Sequence, residues 1–274
     1  MIDSNTSLFG LIGNPVAHSL SPLMQNQAFS AINYNAVFLA FKVIDPGSAI
    51  EAIKTLNIRG VSVTLPLKIA VMKYLDEIDE TATKIGAVNT IVNRKGILTG
   101  YNTDCEASLE ALRTQTTIYD KSIAIIGAGG AARSIGFGLV TAGGRVTILN
   151  RSRKTGEQLA SDLKTEFLPL NEWEPNCYDI LINATPIGMF PETDASPIPE
   201  KDLLKNRVVM DIVYNPLKTR LLREAEAKKC RTISGVSMFV FQGAYQFELW
   251  TGNKAPVDMM ENAVLQALKR NNHD

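Results

Sequence analysis

Two stretches of the sequence place chemically useful residues where a ligand could reach them. In GVSVTLPLK, residues 60–68, apolar and polar residues alternate as in a half-buried strand, Pro66 ends the pattern, and Lys68 comes two residues later. Lysines are mostly exposed surface residues. However, ligands of α/β proteins bind beyond the carboxyl ends of strands, where Lys68 would lie. The second stretch is the glycine-rich run from Gly127 to Ala132.

The glycine-rich run fits the dinucleotide-binding pattern G-x-G-x-x-A. Its first glycine would permit a tight turn, its second would let the backbone approach a pyrophosphate, and Ala132 would let a helix pack closely. Such turns also serve packing alone, but this one follows an apolar strand at 122–126 and opens a helix, whose free N–H groups attract phosphates. We therefore expect it to bind a dinucleotide through Gly127, Ala128, Gly129, Gly130 and Ala131.

The end of the next strand indicates which dinucleotide binds. NAD sites usually carry an acidic residue about twenty residues after the turn, which binds the ribose 2′-hydroxyl. This chain has LNRSRK at 149–154 instead. Guanidinium groups bind a 2′-phosphate through charge-assisted hydrogen bonds, whereas an acid would repel it. The alternative is an exposed basic loop without a ligand. The position at the strand end favours NADP, held by Asn150, Arg151, Ser152 and Arg153.

The elements around these residues alternate between strands and helices. Strands are predicted at 8–13, 36–43, 178–185 and 207–216, helices at 20–33, 46–56 and 105–115, and a hairpin at 89–104. Residues 122–150 form one complete β-α-β unit, and a helical region begins near Ser237. This order predicts an α/β fold with a mostly parallel sheet covered by helices on both faces.

Composition excludes several classes of function. Lysine plus arginine and aspartate plus glutamate number 28 each, so no net charge attracts nucleic acid or membrane. The only histidines are His18 and His273, and the three cysteines are scattered, so no metal site is expected. The N-terminal residues do not have the pattern of a signal peptide, and no apolar run is long enough to span a membrane. We expect a cytoplasmic protein.

With these residues identified, the chain resembles the shikimate dehydrogenase family nearly from end to end. The motifs that carry the resemblance, in family order, are GNPVAHSLSP (13–22), GVSVTLPLK (60–68), GAVNT (86–90), GYNTD (100–104), GAGGAAR (127–133), NRS (150–152), NATPIGM (183–189), DIVYNP (211–216) and FQGAYQFELWTG (241–252). The resemblance implies NADP-dependent interconversion of 3-dehydroshikimate and shikimate, on the route to chorismate and the aromatic amino acids.

The resemblance also implies roles for individual residues. The family's proton-transferring lysine and its partner aspartate fall on Lys68 and Asp104. Its substrate-binding residues fall on Ser19, Ser21, Thr64, Asn89, Tyr214 and Gln242, and further cofactor contacts fall on Thr185, Ile212 and Gly235. Chemically, an alkoxide formed by hydride transfer needs a proton donor beside it. Among the alternatives, Ser19 and Ser21 could simply cap a helix and Asn89 could be a turn residue.

The expected architecture is two α/β domains around a cleft: a substrate domain, residues 1–104 completed by helices at 236–274, and a Rossmann-type NADP domain, residues 105–235. Ser62, Leu67 and Ala107 depart from the family's usual asparagine, histidine and glycine. Three alternative functions stay open: a quinate/shikimate dehydrogenase using NAD or both cofactors, a lyase with Lys68 as a Schiff base, and a non-catalytic NADP-binding regulator. Both a monomer and a homodimer are compatible with the sequence.

Overall fold

A computed structural model describes residues 2–271, so His273 lies outside the described residues. Over this range the chain forms twelve β-strands and nine α-helices. Contacts divide it into two units. The first comprises the residues up to Thr103 together with Val240–Ala267, and the second comprises Asp104–Phe239 together with the residues from Leu268 onward.

The first unit is built on a mixed six-stranded sheet of order β2-β1-β3-β5-β6-β4. The strands are β1 (Ser7–Gly13), β2 (Ala36–Lys42), β3 (Gly60–Val63), β4 (Glu77–Ile78), β5 (Thr90–Arg94) and β6 (Ile97–Tyr101). The helices between them are α1 (Ser21–Ala31), α2 (Pro46–Thr55) and α3 (Glu80–Ile85). The hairpin β5–β6 turns at Lys95 and Gly96, both with positive φ, as two-residue hairpin turns require.

Strand β3 is buried on both faces, so the half-buried strand predicted from its alternating residues is wrong. All four of its residues are buried, including Ser62 at 4% exposure. It lies between β1 and β5 in the middle of the sheet. The alternating pattern of polar residues therefore does not mark a solvent-facing side: the Ser62 hydroxyl instead has a partner inside the protein.

The second unit is built on a six-stranded, entirely parallel sheet of order β12-β11-β10-β7-β8-β9. Its strands are β7 (Ser122–Ile126), β8 (Arg145–Asn150), β9 (Glu166–Pro169), β10 (Ile180–Asn183), β11 (Val208–Asp211) and β12 (Arg231–Ile233). Its helices are α4 (Asp104–Arg113), α5 (Gly130–Thr141), α6 (Arg153–Leu163) and α7 (Arg220–Ala227). The predicted β-α-β unit is β7-α5-β8, and the predicted α/β class with a Rossmann-type sheet is confirmed.

The chain ends in two long helices, α8 (Gly235–Thr251) and α9 (Val257–Asn271). From Val240 onward α8 is part of the first unit, where Trp250 packs against Phe9 and Phe38. In the second unit, Trp173 packs against Tyr178 beside the core. Among the helices formed by residues 2–271, none has the length and apolar character needed to cross a membrane.

Candidate active site

The turn that carries Lys68 is held on both sides of the lysine. After β3 ends, Leu67 inserts into the hydrophobic core of the first unit at 4% exposure. The Lys68 carbonyl accepts a hydrogen bond of 2.8 Å from the Val88 N–H. Lys68 is therefore a half-buried residue on a pinned turn at the carboxyl end of a central strand. The departure at position 67 has a structural role, because leucine at this position anchors the turn.

Ser19 and Ser21 lie at the start of α1. Ser21 is buried, and its N–H donates to Ser19 Oγ at 3.2 Å. Leu20 holds the N-cap position of α1, and its side chain makes no capping bond. Neither serine is therefore the N-cap, although Ser19 Oγ satisfies the N–H of the first helical residue. Thr64, the first residue after β3, is half-buried, and its N–H bonds the Ile12 carbonyl at 2.9 Å.

Asn89 is a buried residue rather than an exposed turn residue. Its exposure is 2%, and its Oδ1 accepts hydrogen bonds from Thr103 N at 2.8 Å and Thr90 Oγ1 at 2.7 Å. Its Nδ2 donates to Thr103 Oγ1 at 3.0 Å. Asn89, which immediately precedes β5, is therefore bonded to Thr103 in the segment that leads into α4.

Asp104 is the first residue of α4, so the hairpin predicted at 89–104 ends earlier than expected, at Tyr101. Strand β6 ends at Tyr101, and Asn102 Nδ2 then bonds the Ala87 carbonyl at 2.9 Å, which turns the chain away from the sheet. The Asp104 side chain is buried at 5% exposure, in the first turn of the helix. A carboxylate is stabilised there by the helix dipole.

Gln242 lies on α8, which packs closely on α1 within the first unit. A Cβ on Gly243 would lie 2.2 Å from Met24 Cε, so a larger residue here would have to displace the end of the Met24 side chain. Gln25 Nε2 donates to the Gly243 carbonyl at 2.9 Å from a fully buried position. The backbone beside Gln242 is thereby fixed to α1.

The first two glycines of the glycine-rich turn differ in backbone conformation and in the space around them. Gly127 has φ of 115°, and a Cβ there would lie 3.0 Å from Thr185 Cγ2. Gly129 differs, because it has an ordinary φ of −87°, is exposed, and has nothing within 4 Å of the position of a Cβ. Gly129 is the N-cap of α5, and the first N–H groups of a helix have no acceptor within the helix itself. The residues present thus fit a dinucleotide.

The basic loop follows β8. Asn150 Nδ2 bonds Thr155 Oγ1 at 2.8 Å and the Ser152 carbonyl at 3.0 Å, so it shapes the loop from within. Arg151 is exposed at the strand end. Arg153 forms ion pairs with Glu157 at 3.2 Å and Glu172 at 3.8 Å. A phosphate bound by Arg153 would compete with these two glutamates for the guanidinium group. The competition costs little, because a surface ion pair contributes little to protein stability.

Two buried polar residues of the second unit are not among the site residues predicted from the sequence. Asn183 and Asp211 are the last residues of β10 and β11 and lie opposite each other in the sheet. Asp211 Oδ1 accepts from Asn183 Nδ2 and Val213 N, both at 3.0 Å, and Oδ2 accepts from Thr219 Oγ1 at 2.7 Å. Burial raises the Asp211 pKa to about 6, although these hydrogen bonds partly oppose the rise. In the sequence, Asn183 and Asp211 each end an apolar run, and this pattern could have indicated the pair.

This polar pair organises the loops that carry the predicted cofactor contacts of the second unit. Asn183 Oδ1 accepts from Thr185 Oγ1 at 2.6 Å. In the other loop, a Cβ on Gly235 would lie 2.5 Å from the Ile212 carbonyl oxygen, so α8 begins in direct contact with this backbone. Tyr214 stacks on Phe239 with ring centroids 4.3 Å apart.

The predicted site residues divide between the two units. The first unit carries Ser19, Ser21, Thr64, Lys68, Asn89 and Gln242. The second unit carries Asp104, Tyr214, and all the predicted cofactor contacts: Gly127, Ala128, Gly129, Gly130, Ala131, Asn150, Arg151, Ser152, Arg153, Thr185, Ile212 and Gly235. Among the described residues, no group of three or more His, Cys, Asp or Glu side chains is arranged to hold a metal ion.

Comparison with known proteins identifies the family. Residues 11–91 match the shikimate dehydrogenase substrate binding domain, residues 110–214 the shikimate/quinate 5-dehydrogenase family, and residues 235–265 the shikimate 5′-dehydrogenase C-terminal domain. A shikimate dehydrogenase (NADP⁺) of Methanococcus maripaludis is 44% identical, over 96% of this chain and 98% of that protein. The chain belongs to the shikimate dehydrogenase family. A shikimate dehydrogenase (NADP⁺) of Geobacillus kaustophilus is also 44% identical, over 96% of this chain and 99% of that protein.

Solved structures of shikimate dehydrogenases share the whole fold. A crystal structure in complex with NADP⁺ is 41% identical, with a TM-score of 0.94 over 98% of both chains. A Thermus thermophilus structure with NADP(H) and shikimate is 36% identical, with a TM-score of 0.89 over 96% of this chain and all of that one. A quinate dehydrogenase of Corynebacterium glutamicum with NAD is 29% identical, with a TM-score of 0.87 over 95% of this chain and 99% of its own. The predicted family and oxidoreductase class are confirmed, while the last likeness shows that this fold also serves another substrate.

Proposed function

We propose that this chain catalyses the reversible, NADP-dependent reduction of 3-dehydroshikimate to shikimate. The observation that carries the assignment is the 44% identity, over nearly the full length, to shikimate dehydrogenases (NADP⁺). The same chain retains a lysine at the carboxyl end of a central strand, a glycine-rich phosphate turn and a basic loop where NAD enzymes carry an acid. The reaction belongs to the route to chorismate and the aromatic amino acids.

In the chemical step, bound NADPH supplies the hydride. The substrate ketone becomes an alkoxide as the hydride arrives, and the Lys68 ammonium donates the proton that neutralises it. Asp104 holds that ammonium in orientation and stabilises its charge. In the reverse direction, neutral Lys68 accepts the hydroxyl proton from shikimate. The pinned turn supports this role because it limits where the flexible lysine side chain begins.

Short polar side chains bind the ring of the substrate. We assign its carboxylate to the hydroxyls of Ser19 and Ser21, and its ring hydroxyls to Thr64, Asn89, Tyr214 and Gln242. The fixed orientation of the Asn89 amide supports its assignment, because a preorganised group loses little entropy on binding. The stacking of Tyr214 on Phe239 supports its assignment for the same reason.

Backbone groups and one basic loop bind NADP. The turn from Gly127 to Ala131 would hold the pyrophosphate, and the open space at Gly129 would admit it. Arg151 makes the main contact with the 2′-phosphate, assisted by Asn150, Ser152 and Arg153. Thr185, Ile212 and Gly235 lie on the nicotinamide side. We also infer a cytoplasmic location, since the cysteines among the described residues form no disulfide. We further infer a monomer or homodimer that needs no nucleic-acid or membrane partner.

The decisive experiment follows nicotinamide absorbance with purified protein, for shikimate and quinate, each with NADP and with NAD. Turnover of shikimate with NADP, and little with the other three pairs, is the expected result. Strong turnover of quinate, or a preference for NAD, would assign the chain to the quinate/shikimate dehydrogenases. If no pair turns over, borohydride reduction in the presence of substrate distinguishes a Schiff-base lyase, which is trapped as an adduct, from a non-catalytic NADP binder.

A further inference from the structure

The first unit contains a buried amide that belongs to none of the roles above. Gln246 lies on α8 at 1% exposure. Its Nε2 donates to the Asn89 carbonyl at 3.2 Å and to Thr90 Oγ1 at 3.1 Å, and its Oε1 accepts from Ser62 Oγ at 2.7 Å. Both amide hydrogens and the carbonyl oxygen are therefore engaged. Burying an amide without hydrogen bonds is costly, so these three bonds stabilise Gln246 in its buried position.

On the basis of the function proposed above, we infer that Gln246 is a positioning residue for substrate binding and that Ser62 is its partner. Neither side chain contacts the substrate itself. Together they set the orientation of the Asn89 amide and the placement of Gln242, and thereby control the affinity for the substrate without affecting that for NADP.

The first link runs from Gln246 through a hydroxyl to Asn89. A threonine hydroxyl has a single hydrogen to donate. Because Thr90 Oγ1 accepts from Gln246, its own hydrogen is directed to Asn89 Oδ1, 2.7 Å away. Together with the Thr103 N–H, this bond holds the oxygen end of the Asn89 amide in place, and Nδ2 faces Thr103 Oγ1. Without Gln246, the Thr90 hydroxyl can rotate and the Asn89 amide loses a directional constraint.

The second link runs along α8. Residues four apart lie on the same face of a helix, one above the other, so Gln246 follows Gln242 by about one turn. Gln246 ties this face to β3 through Ser62 and to β5 through Thr90. Gln25, bonded to the Gly243 carbonyl, holds the helix from the α1 side. The rotation of α8 about its axis, and with it the direction of Gln242, is fixed by these bonds.

The serine at position 62 suits this arrangement in size. Its hydroxyl reaches Gln246 Oε1 at 2.7 Å in a space where Ser62 is only 4% exposed. The family's usual asparagine would add two heavy atoms to a side chain already in contact with the Gln246 amide. The departure from the family pattern is therefore coupled to a residue nearly two hundred positions away in the sequence.

The test compares Gln246→Met with Trp250→Phe by steady-state kinetics, at a temperature where circular dichroism shows both variants folded. Methionine keeps the length of glutamine and loses its hydrogen bonds. Trp250→Phe is the matched control: Trp250 Nε1 bonds the Ile91 carbonyl at 3.0 Å, so it also ties α8 to β5, but with no link to Asn89. Both variants should melt at lower temperature. Only Gln246→Met should raise the KM for shikimate, by about tenfold, as expected for a loss near 1.4 kcal/mol, with the KM for NADP unchanged.

A milder variant, Ser62→Ala, and the double variant test the pairing. Ser62→Ala should raise the KM for shikimate several-fold, and adding it to Gln246→Met should have little further effect, because the partner is already lost. Equal KM values in Gln246→Met, Trp250→Phe and the wild type would overturn the inference, as would full additivity of Ser62→Ala and Gln246→Met. If the wild type itself does not turn over shikimate, the proposed function fails, and the inference fails with it.

Discussion

Asn183 and Asp211 share a hydrogen bond of 3.0 Å between the last residues of two adjacent parallel strands. The loops that follow carry Thr185 on one side and Ile212 and Tyr214 on the other. Thr185 bonds Asn183, and the Val213 N–H bonds Asp211, so both loops start from one buried polar pair. The residues assigned to the nicotinamide side of the cofactor therefore depend on a charge that is fully removed from solvent.

Replacing Asp211 should change how stability depends on pH. Its pKa is raised by burial from 3.8 to about 6, so between those values the folded state binds more protons than the unfolded state. Stability from this group is therefore greatest below about pH 4 and falls as the pH rises through 6, by up to about 3 kcal/mol. Asp211→Asn removes this fall, since its amide stays neutral and can bond the Thr219 hydroxyl.

The measurement is urea unfolding of both proteins from pH 4 to 7.5. The free energy of unfolding of Asp211→Asn, relative to that of the wild type, should rise between pH 4 and about pH 6 and then level off. Glu51→Gln, which neutralises an exposed carboxylate on α2, serves as the control and should parallel the wild type. A constant difference between Asp211→Asn and the wild type would show that Asp211 does not titrate in this window.

Lys68→Ala should abolish most turnover and leave NADP binding intact. Removal of a general acid–base group typically lowers kcat by about 10² to 10⁴. Lys84→Ala, which removes an exposed lysine paired with Glu80, should be indistinguishable from wild type. The measurements are kcat with shikimate and NADP affinity by calorimetry. Equal losses of turnover and NADP affinity in Lys68→Ala would refute the proton-transfer role.

Arg151→Ala should weaken the binding of NADP far more than the binding of NAD. A charge-assisted hydrogen bond contributes about 1.5–3 kcal/mol, so the ratio of KM for NADP to KM for NAD should rise about 10- to 100-fold. Arg145→Ala is the matched control, because Arg145 is an exposed, ion-paired arginine that begins the same strand, β8. An unchanged cofactor ratio in Arg151→Ala would assign the 2′-phosphate to other groups.

Replacing the two glycines of the turn by alanine should affect different properties: stability at Gly127 and NADP affinity at Gly129. Gly127→Ala forces a side chain into positive φ beside Thr185, so it should lower stability by roughly 1–3 kcal/mol. Gly129→Ala meets open space at an ordinary φ, so its melting temperature should match the wild type. Its NADP affinity should nevertheless fall, because the new methyl group occupies the path of the pyrophosphate. Full NADP affinity in a folded Gly129→Ala would place the pyrophosphate elsewhere.

Local pattern was sufficient to predict the β7-α5-β8 unit, the β5–β6 hairpin and the family. In each of these, neighbouring residues in the sequence determine the structure: an apolar strand, a glycine turn, or a two-residue turn. The roles of the individual site residues remain predictions, since they depend on the bound substrate and cofactor.

The failures share a cause, which is contact between residues distant in sequence. The alternating pattern around Ser62 predicts that its side chain faces solvent. In the structure, Ser62 is instead covered by α8, which is formed by residues far along the chain. The predicted hairpin extends to Asp104, but a bond from Asn102 to Ala87 has already turned the chain. Gln246 could have been predicted, because an amide among the mostly apolar residues of α8 is costly to bury unless it is hydrogen-bonded.

The two tryptophans of the sequence have a practical consequence. Trp250 lies in the first unit, where a Cβ on Gly60 would be 2.3 Å from its ring, and Trp173 lies in the second, against Tyr178. Each unit thus carries a single tryptophan, and the two tryptophans lie in distinct environments. A Trp173→Phe protein reports on the first unit alone and a Trp250→Phe protein on the second, so the fluorescence of each can reveal whether the two units melt together or in sequence.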